Sequence, residues 1–207
     1  MPEHGPLRHG AIVLAAGRSQ RLGSSKQLIE IDGETLVHRA VRLTLETSPA
    51  DCVVVTRVDA DDVAYAIGDL PCRIVECAGS ARGLSTSLNA GLQALDPTCA
   101  AALIVLVDQP AVTAAHLCAL RDAWLRTPSR PSASAYAGTV GVPAMLPRTW
   151  FAQLSRFDSD HGARDLLRSR RDEVQAIEAA RLAHDIDTPD DLANLDSRAM
   201  QDPVRQV

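Results

Sequence analysis

Three uninterrupted apolar runs constrain the fold most: AIVLAA at 11–16, CVVVT at 52–56 and AALIVLV at 101–107. A strand that is apolar at every position has to be covered on both faces. That is the pattern of a parallel sheet between helical layers, not of a sheet with one wet side. Helical segments lie between the runs. In ETLVHRAVRLTLET (34–47), Leu36, Val37, Ala40, Val41 and Leu45 recur at helical spacing. DADDVAYAIGDL (59–70) opens on an acidic turn that suits a helix N-terminus, and CRIVE (72–76) reads as a further strand. STSLNAGLQAL (85–95) begins at a serine able to cap it, and TAAHLCALRDAWLR (113–126) begins at the cap residue Thr113. Strand and helix in alternation predict right-handed β-α-β crossovers and an α/β fold with a mostly parallel sheet.

The alternation loosens after residue 130. SASAYAG (132–138) and GVPAML (141–146) can pair as a hairpin, which adds an antiparallel strand to the C-terminal half of the sheet. PRTWFAQLSRF and HGARDLLRSR read as short helices and EVQAIEA (173–179) as a strand. DTPDDLANL (187–195) reads as a helix with Thr188 as cap and Pro189 at its first position. A length of 207 residues suits one domain, expected over 10–195, with loose polar ends at 1–9 and 197–207.

Composition removes several classes of function. A net charge of −5 lacks the basic face of a general nucleic-acid binder. No apolar run approaches the length of a membrane span, and MPEHGPLRHG has no apolar signal core. Cys52, Cys72, Cys77, Cys99 and Cys118 form no C-x-x-C pair, and several sit in apolar runs. They read as reduced, mostly buried residues of a cytoplasmic protein, and their spacing does not fit a zinc site.

The loop after the first run carries the chemistry. AIVLAAGRSQRLGSSKQL places Arg18, Arg21 and Lys26 on a stretch of Gly, Ser and Gln just beyond a buried strand. In an open parallel sheet ligands bind beyond the carboxyl ends of strands. Glycine lets the backbone approach a ligand, and arginine and lysine add charge-assisted bonds to phosphate oxygens. The loop therefore reads as a cradle for a nucleoside triphosphate, with a solvated turn as the alternative. It is neither a Walker loop nor a dinucleotide fingerprint: five residues separate Gly17 from Gly23, two serines precede Lys26, and G-x-G-x-x-G is absent. In LIVLVDQPAV, Asp108 ends another buried strand. A carboxylate there, beside phosphates, suits Mg²⁺; the alternative is an aspartate that caps the turn stiffened by Pro110.

LAAGRSQRLGSSKQL is similar to the signature L-A-A-G-x-S-x-R-[ML]-G-x-x-K-x-L of the MobA-like NTP transferases. Within that family it most resembles the molybdenum cofactor cytidylyltransferases of the MocA type; guanylyl-transferring relatives typically have L-A-G-G. The resemblance spans residues 10–195 and implies a three-layer α/β/α sandwich of Rossmann-like type. It implies that Leu14, Ala15, Ala16 and Gly17 hold the nucleotide and that Arg21 and Lys26 neutralise its triphosphate. VDQP resembles the family's D-x-P metal turn, making Asp108 a metal ligand. DIDTPDDL resembles a second element in which Asp187 is a metal carboxylate, with helix capping as the other reading. AGSARGLSTSLNAGL resembles the nucleobase segment G-x-x-x-G-[LM]-S-x-S-[LI], with Gly79, Gly83, Ser85 and Ser87 as candidates; for the serines, capping alone is the alternative. GTVGVPAML and SDHGARDLL resemble the acceptor half, through Gly141, Pro143, Gly162 and Arg164. Val142 departs from the His or Asn common in relatives, and His161 reads either as a base or as a cap.

The implied reaction is transfer of CMP from CTP to the phosphate of molybdopterin. Pyrophosphate is released, Mg²⁺ is the cofactor, and Arg21, Lys26 and Asp108 are the catalytic residues. The implied client is a hydroxylase of the xanthine dehydrogenase type; no nucleic-acid or membrane partner is expected. Two rivals stand beside it. One is a transferase of the same fold with GTP as donor or a sugar or polyol phosphate as acceptor. The other is a non-catalytic maturation protein that binds the pterin or its nucleotide.

Overall fold

In a computed structural model of the chain, which describes residues 7–17, 25–156 and 163–183, the apolar runs lie side by side as central strands. The elements in order are β1 (His9–Leu14), β2 (Glu30–Ile31), β3 (Glu34–Thr35), α1 (Leu36–Leu45), β4 (Cys52–Thr56), α2 (Asp61–Ala66) and β5 (Arg73–Glu76). They continue with α3 (Leu84–Ala94), β6 (Ala101–Leu106), α4 (Ala114–Arg126), β7 (Ser132–Tyr136), β8 (Thr139–Pro147), α5 (Phe151–Leu154), α6 (Ala163–Ser169) and β9 (Gln175–Glu178). A seven-stranded sheet has the order β5-β4-β1-β6-β8-β7-β9. β1 runs parallel to β4 and to β6, with Val13 beside Val54 on one side and Val105 on the other. β8 is the antiparallel addition, pairing with both β6 and β7, while β9 runs parallel to β7.

Alternation of side chains along the strands divides the core in two. Ala11, Val13, Val54, Leu103 and Val105 face α1, α2 and α4, against Val41, Val63, Leu117 and Trp124. Ile12, Val53, Val55 and Ile104 face α3, α5 and α6, against Leu88, Leu154 and Leu167. The fold is a three-layer α/β/α sandwich. Helix α3 crosses so near the sheet at Gly91 that a Cβ there would lie 2.5 Å from Ile12 Cγ2. Among the described residues no helix is long and apolar enough to cross a membrane. All five cysteines are free, with Cys52, Cys77 and Cys99 buried.

Two expectations are corrected. The helix read over 34–47 begins only at Leu36, because Asp32 (φ 54°) and Gly33 (φ 77°) turn the chain between β2 and β3. Thr35 then caps α1 by accepting from the His38 N–H at 3.3 Å. Glu34 ties the small hairpin to α1: it accepts from Arg42 Nε and Nη2, each at 2.8 Å, and lies 2.7 Å from His38 Nδ1. The second correction concerns Ser85. Helix α3 starts at Leu84 after Gly83, whose φ of 121° suits glycine, so Ser85 is buried inside the first turn and is not its cap. The helix expected over 187–195 lies outside the described residues.

His9, at the start of β1, is buried at 5% exposure. Its Nε2 lies 3.0 Å from Thr47 Oγ1, whose own proton goes to the Thr44 carbonyl at 2.7 Å, so the ring donates. Burial, with help from the Arg121 charge, lowers its pKa to about 4. Neutral His9 therefore contributes its full stability above the ordinary histidine range and loses it as pH falls from there towards 4. Urea unfolding at pH 8 and pH 5 should differ by about 2 kcal/mol on account of this residue. Buried His116 is shifted in the same direction. For His38, burial works downward but the bonds to Glu34 and Asp69 win, so its shift is upward and opposes the effect. The His9→Gln variant isolates the effect: it keeps a donor for Thr47 and should lose less stability than wild type on acidification, by that same amount. An equal loss in both proteins would contradict the assignment.

Candidate active site

The chain leaves β5, passes through α3 and returns as β6 on the far side of β1. The carboxyl ends of β1 and β6 therefore part at a topological switch point, where an open sheet leaves a crevice. A cavity of about 300 Å³ fills it. Leu14, Ala16 and Gly17 line it from β1, Leu106 and Asp108 from β6, Gly83 and Ser87 from the start of α3, and Arg164 from α6. Lys26, Gln27 and Val142 are also part of the wall. Among the described residues, a Cβ at Gly17 would meet nothing nearer than Gln27 Nε2 at 4.0 Å.

Lys26 stands on the single turn Lys26–Leu28 and reaches across to Asp108, with Nζ 3.1 Å from Oδ2. The pair is largely shielded, with side chains 14% and 26% exposed. The other carboxylate oxygen, Asp108 Oδ1, is buried without a hydrogen bond among the described residues. A buried anionic oxygen with open valence beside a cavity fits a hard divalent cation. Among the described residues no cluster of three His, Cys, Asp or Glu side chains converges, so a cation at Asp108 would take its remaining ligands from phosphate oxygens and water or from carboxylates elsewhere.

The wall that contains Val142 is a bulge. On β7 the consecutive residues Ala133 and Ser134 pair with Ala144 and Gly141, so Val142 and Pro143 stand out of the ladder at the end of β6. Both carbonyls of the bulge are engaged. Val142 O accepts from Gln109 Nε2 at 3.2 Å and from the Tyr136 hydroxyl at 3.1 Å. Pro143 O accepts from Ser134 Oγ at 2.7 Å. Ser134 has spent its proton there, so His116 Nε2, 2.8 Å away, donates to it. With both carbonyls engaged, the bulge places Val142 on the cavity wall.

Of the residues singled out in the sequence, Leu14, Ala16, Gly17, Lys26, Gly83, Ser87, Asp108 and Arg164 meet on this cavity. Ala15, Gly79, Ser85, Gly141 and Pro143 are not among its lining. Gly141 makes room for Tyr136 instead: a Cβ there would lie 2.6 Å from the hydroxyl that holds Val142. Gly79 likewise leaves space for the Arg82 guanidinium. Arg21, Gly162 and Asp187, with His161, lie outside the described residues. Sequence reasoning missed Gln27, Gln109, His116, Ser134 and Tyr136. For Gln27 the signal was its place beside Lys26; the others act through contacts that no local spacing encodes.

The model of the MobA-like NTP transferase domain matches residues 11–174, which span both β1 with its loop and the β8 wall. The chain belongs to the MobA-like NTP transferase family. The transferase is 26% identical over 192 residues to the purine catabolism protein PucB of Bacillus subtilis (strain 168), covering 87% of this chain and 92% of that protein. It is 35% identical over 124 residues to a probable molybdenum cofactor guanylyltransferase of Chloroflexus aggregans, covering 58% of this chain and 54% of the relative. Among solved structures it resembles Rv0371c of Mycobacterium tuberculosis H37Rv in complex with manganese. That match has 26% identity and a TM-score of 0.75, and covers 92% of this chain and 98% of that one.

Proposed function

We propose that this MobA-like transferase moves CMP from CTP onto the phosphate of a molybdopterin-type cofactor and releases pyrophosphate. The observation that carries the reading is the Lys26–Asp108 pair, which together with Gly17 lines a cavity at the switch point of the sheet. An acceptor phosphate oxygen forms the new bond to the α-phosphorus, and the bond from that phosphorus to the oxygen bridging to the β-phosphate breaks. The attacking oxygen is already anionic, so the protein has to align the groups and neutralise charge and needs no strong base. Lys26 and Arg21 serve the triphosphate. Asp108, with Asp187, would hold Mg²⁺, which when bound neutralises charge on the phosphates. The manganese complex of Rv0371c supports a divalent ion here. Arg164 and Val142 lie on the acceptor side.

Ala16 supports CTP as donor. It lines the cavity, taking space that the first glycine of L-A-G-G would leave open and favouring the smaller base. The guanylyltransferase relative supports GTP as a second reading. A cytosine dinucleotide product would serve a hydroxylase of the xanthine dehydrogenase type.

The test is pyrophosphate release with CTP or GTP and Mg²⁺, with and without molybdenum cofactor. Release that needs both CTP and the cofactor is expected. Release with GTP alone moves the donor assignment to guanine. Release with neither, under conditions where the cofactor binds, replaces transfer with the carrier reading.

A further inference from the structure

We infer that Gln27 is the positioning residue that locks the nucleotide loop to the turn carrying Lys26, an inference that rests on the transfer reading above. Gln27 is 2% exposed although it borders the cavity. Its Nε2 donates to the Ala15 carbonyl at 2.9 Å and to the Gly17 carbonyl at 2.8 Å, which uses both amide protons. Its Oε1 accepts from Ser25 Oγ at 2.8 Å. Two carbonyls can only accept, so the amide has one possible orientation and every group on it that faces a partner is matched. One side chain thereby joins the end of β1 to residues 25–28 across ten positions of sequence. Ala15 is itself fixed to the sheet, its N–H donating to Val55 O at 2.8 Å. The turn closes on the other side of Gln27 through Leu28 N–H to Ser25 O at 3.0 Å. Lys26 is therefore borne on a turn bolted to β1 by its immediate neighbour, and from there reaches Asp108.

No other side chain does this in the same space. Glutamate cannot donate to two carbonyls, asparagine falls a methylene short, and methionine fills the volume with no donor. Without the amide the Ala15 and Gly17 carbonyls lose their partners, and the loop loses its fixed distance to Lys26. Groups that orient contact residues in this way typically govern ten- to a hundredfold of binding or activity.

The experiment uses the full chain and measures affinity for CTP and GTP with Mg²⁺, together with KM and kcat for pyrophosphate release. Gln27→Met should weaken binding of the preferred nucleotide by about tenfold or more and raise its KM. Gln27→Asn should do the same and decides the matter if the methionine variant does not fold. Leu120→Ala is the control for stability alone: the side chain is fully buried on α4 and lines no part of the cavity, so the change should lower the melting temperature yet bind nucleotide as wild type does. Nucleotide affinity in a folded Gln27 variant equal to that of wild type overturns the inference, as does a matching loss in Leu120→Ala. Wild-type protein that binds neither nucleotide overturns the transfer reading, and the role of Gln27 with it.

Discussion

Asp108→Asn should release pyrophosphate on the order of 10³-fold more slowly than wild type while folding normally. The amide keeps the shape of the carboxylate but removes the charge that would hold a divalent cation among phosphates. A loss of that size corresponds to about 4 kcal/mol of transition-state stabilisation. Folding is spared because the side chain borders the cavity and the amide oxygen can still accept from the Lys26 ammonium. Initial rates beside a melting curve separate the two effects. A rate within tenfold of wild type would remove Asp108 from the chemistry.

Lys26→Met is the second large effect, and it has a signature that a general loss of activity lacks. The methionine keeps the stem of the lysine and deletes its ammonium. The specificity constant for the nucleotide should fall by about 10²- to 10³-fold, because one preorganised cationic donor is lost from the phosphates. The opposite change is expected for metal. In the resting protein the ammonium sits 3.1 Å from Asp108 Oδ2, the oxygen a cation would also want. Without nucleotide, Lys26→Met should bind Mn²⁺ more tightly than wild type, and Asp108→Asn more weakly. Manganese titration by electron paramagnetic resonance reads both. Equal or weaker Mn²⁺ binding by Lys26→Met would mean that ammonium and cation do not compete for this oxygen.

The parallel half of the sheet was legible because its strands are buried on both faces. Ala11, Ile12 and Val13 have no exposure, and nor do Val53, Val54 and Val55, so hydrophobicity alone marks them. β5 was legible only by its place in the alternation, since it is an edge strand whose Arg73 and Ile74 are exposed. The β2–β3 hairpin escaped because two residues per strand are too few for an alternating pattern, although Asp32-Gly33 is a turn dipeptide. At the site, Lys26 and Asp108 were readable because each follows a buried strand, and the strand ends dictate where they go. Gly141 was readable as a motif member but not in its role, which depends on Tyr136 lying against it. Gln109 reaches Val142 across thirty-three positions and His116 reaches Ser134 across eighteen, distances at which only the folded sheet makes neighbours.

Strand β6 belongs to two ladders at once, with β1 on its parallel side and β8 on its antiparallel side. The loop that begins at Ala15 follows β1, and the Val142 bulge lies on β8 just past its ladder with β6. The two halves of the cavity are therefore mounted on one continuous sheet and are not jaws of a clamp. Moving one half against the other would shear a row of backbone hydrogen bonds, so adjustment to different substrates falls to side chains and connecting segments. In mechanical terms the enzyme is a fixed bench with interchangeable tools.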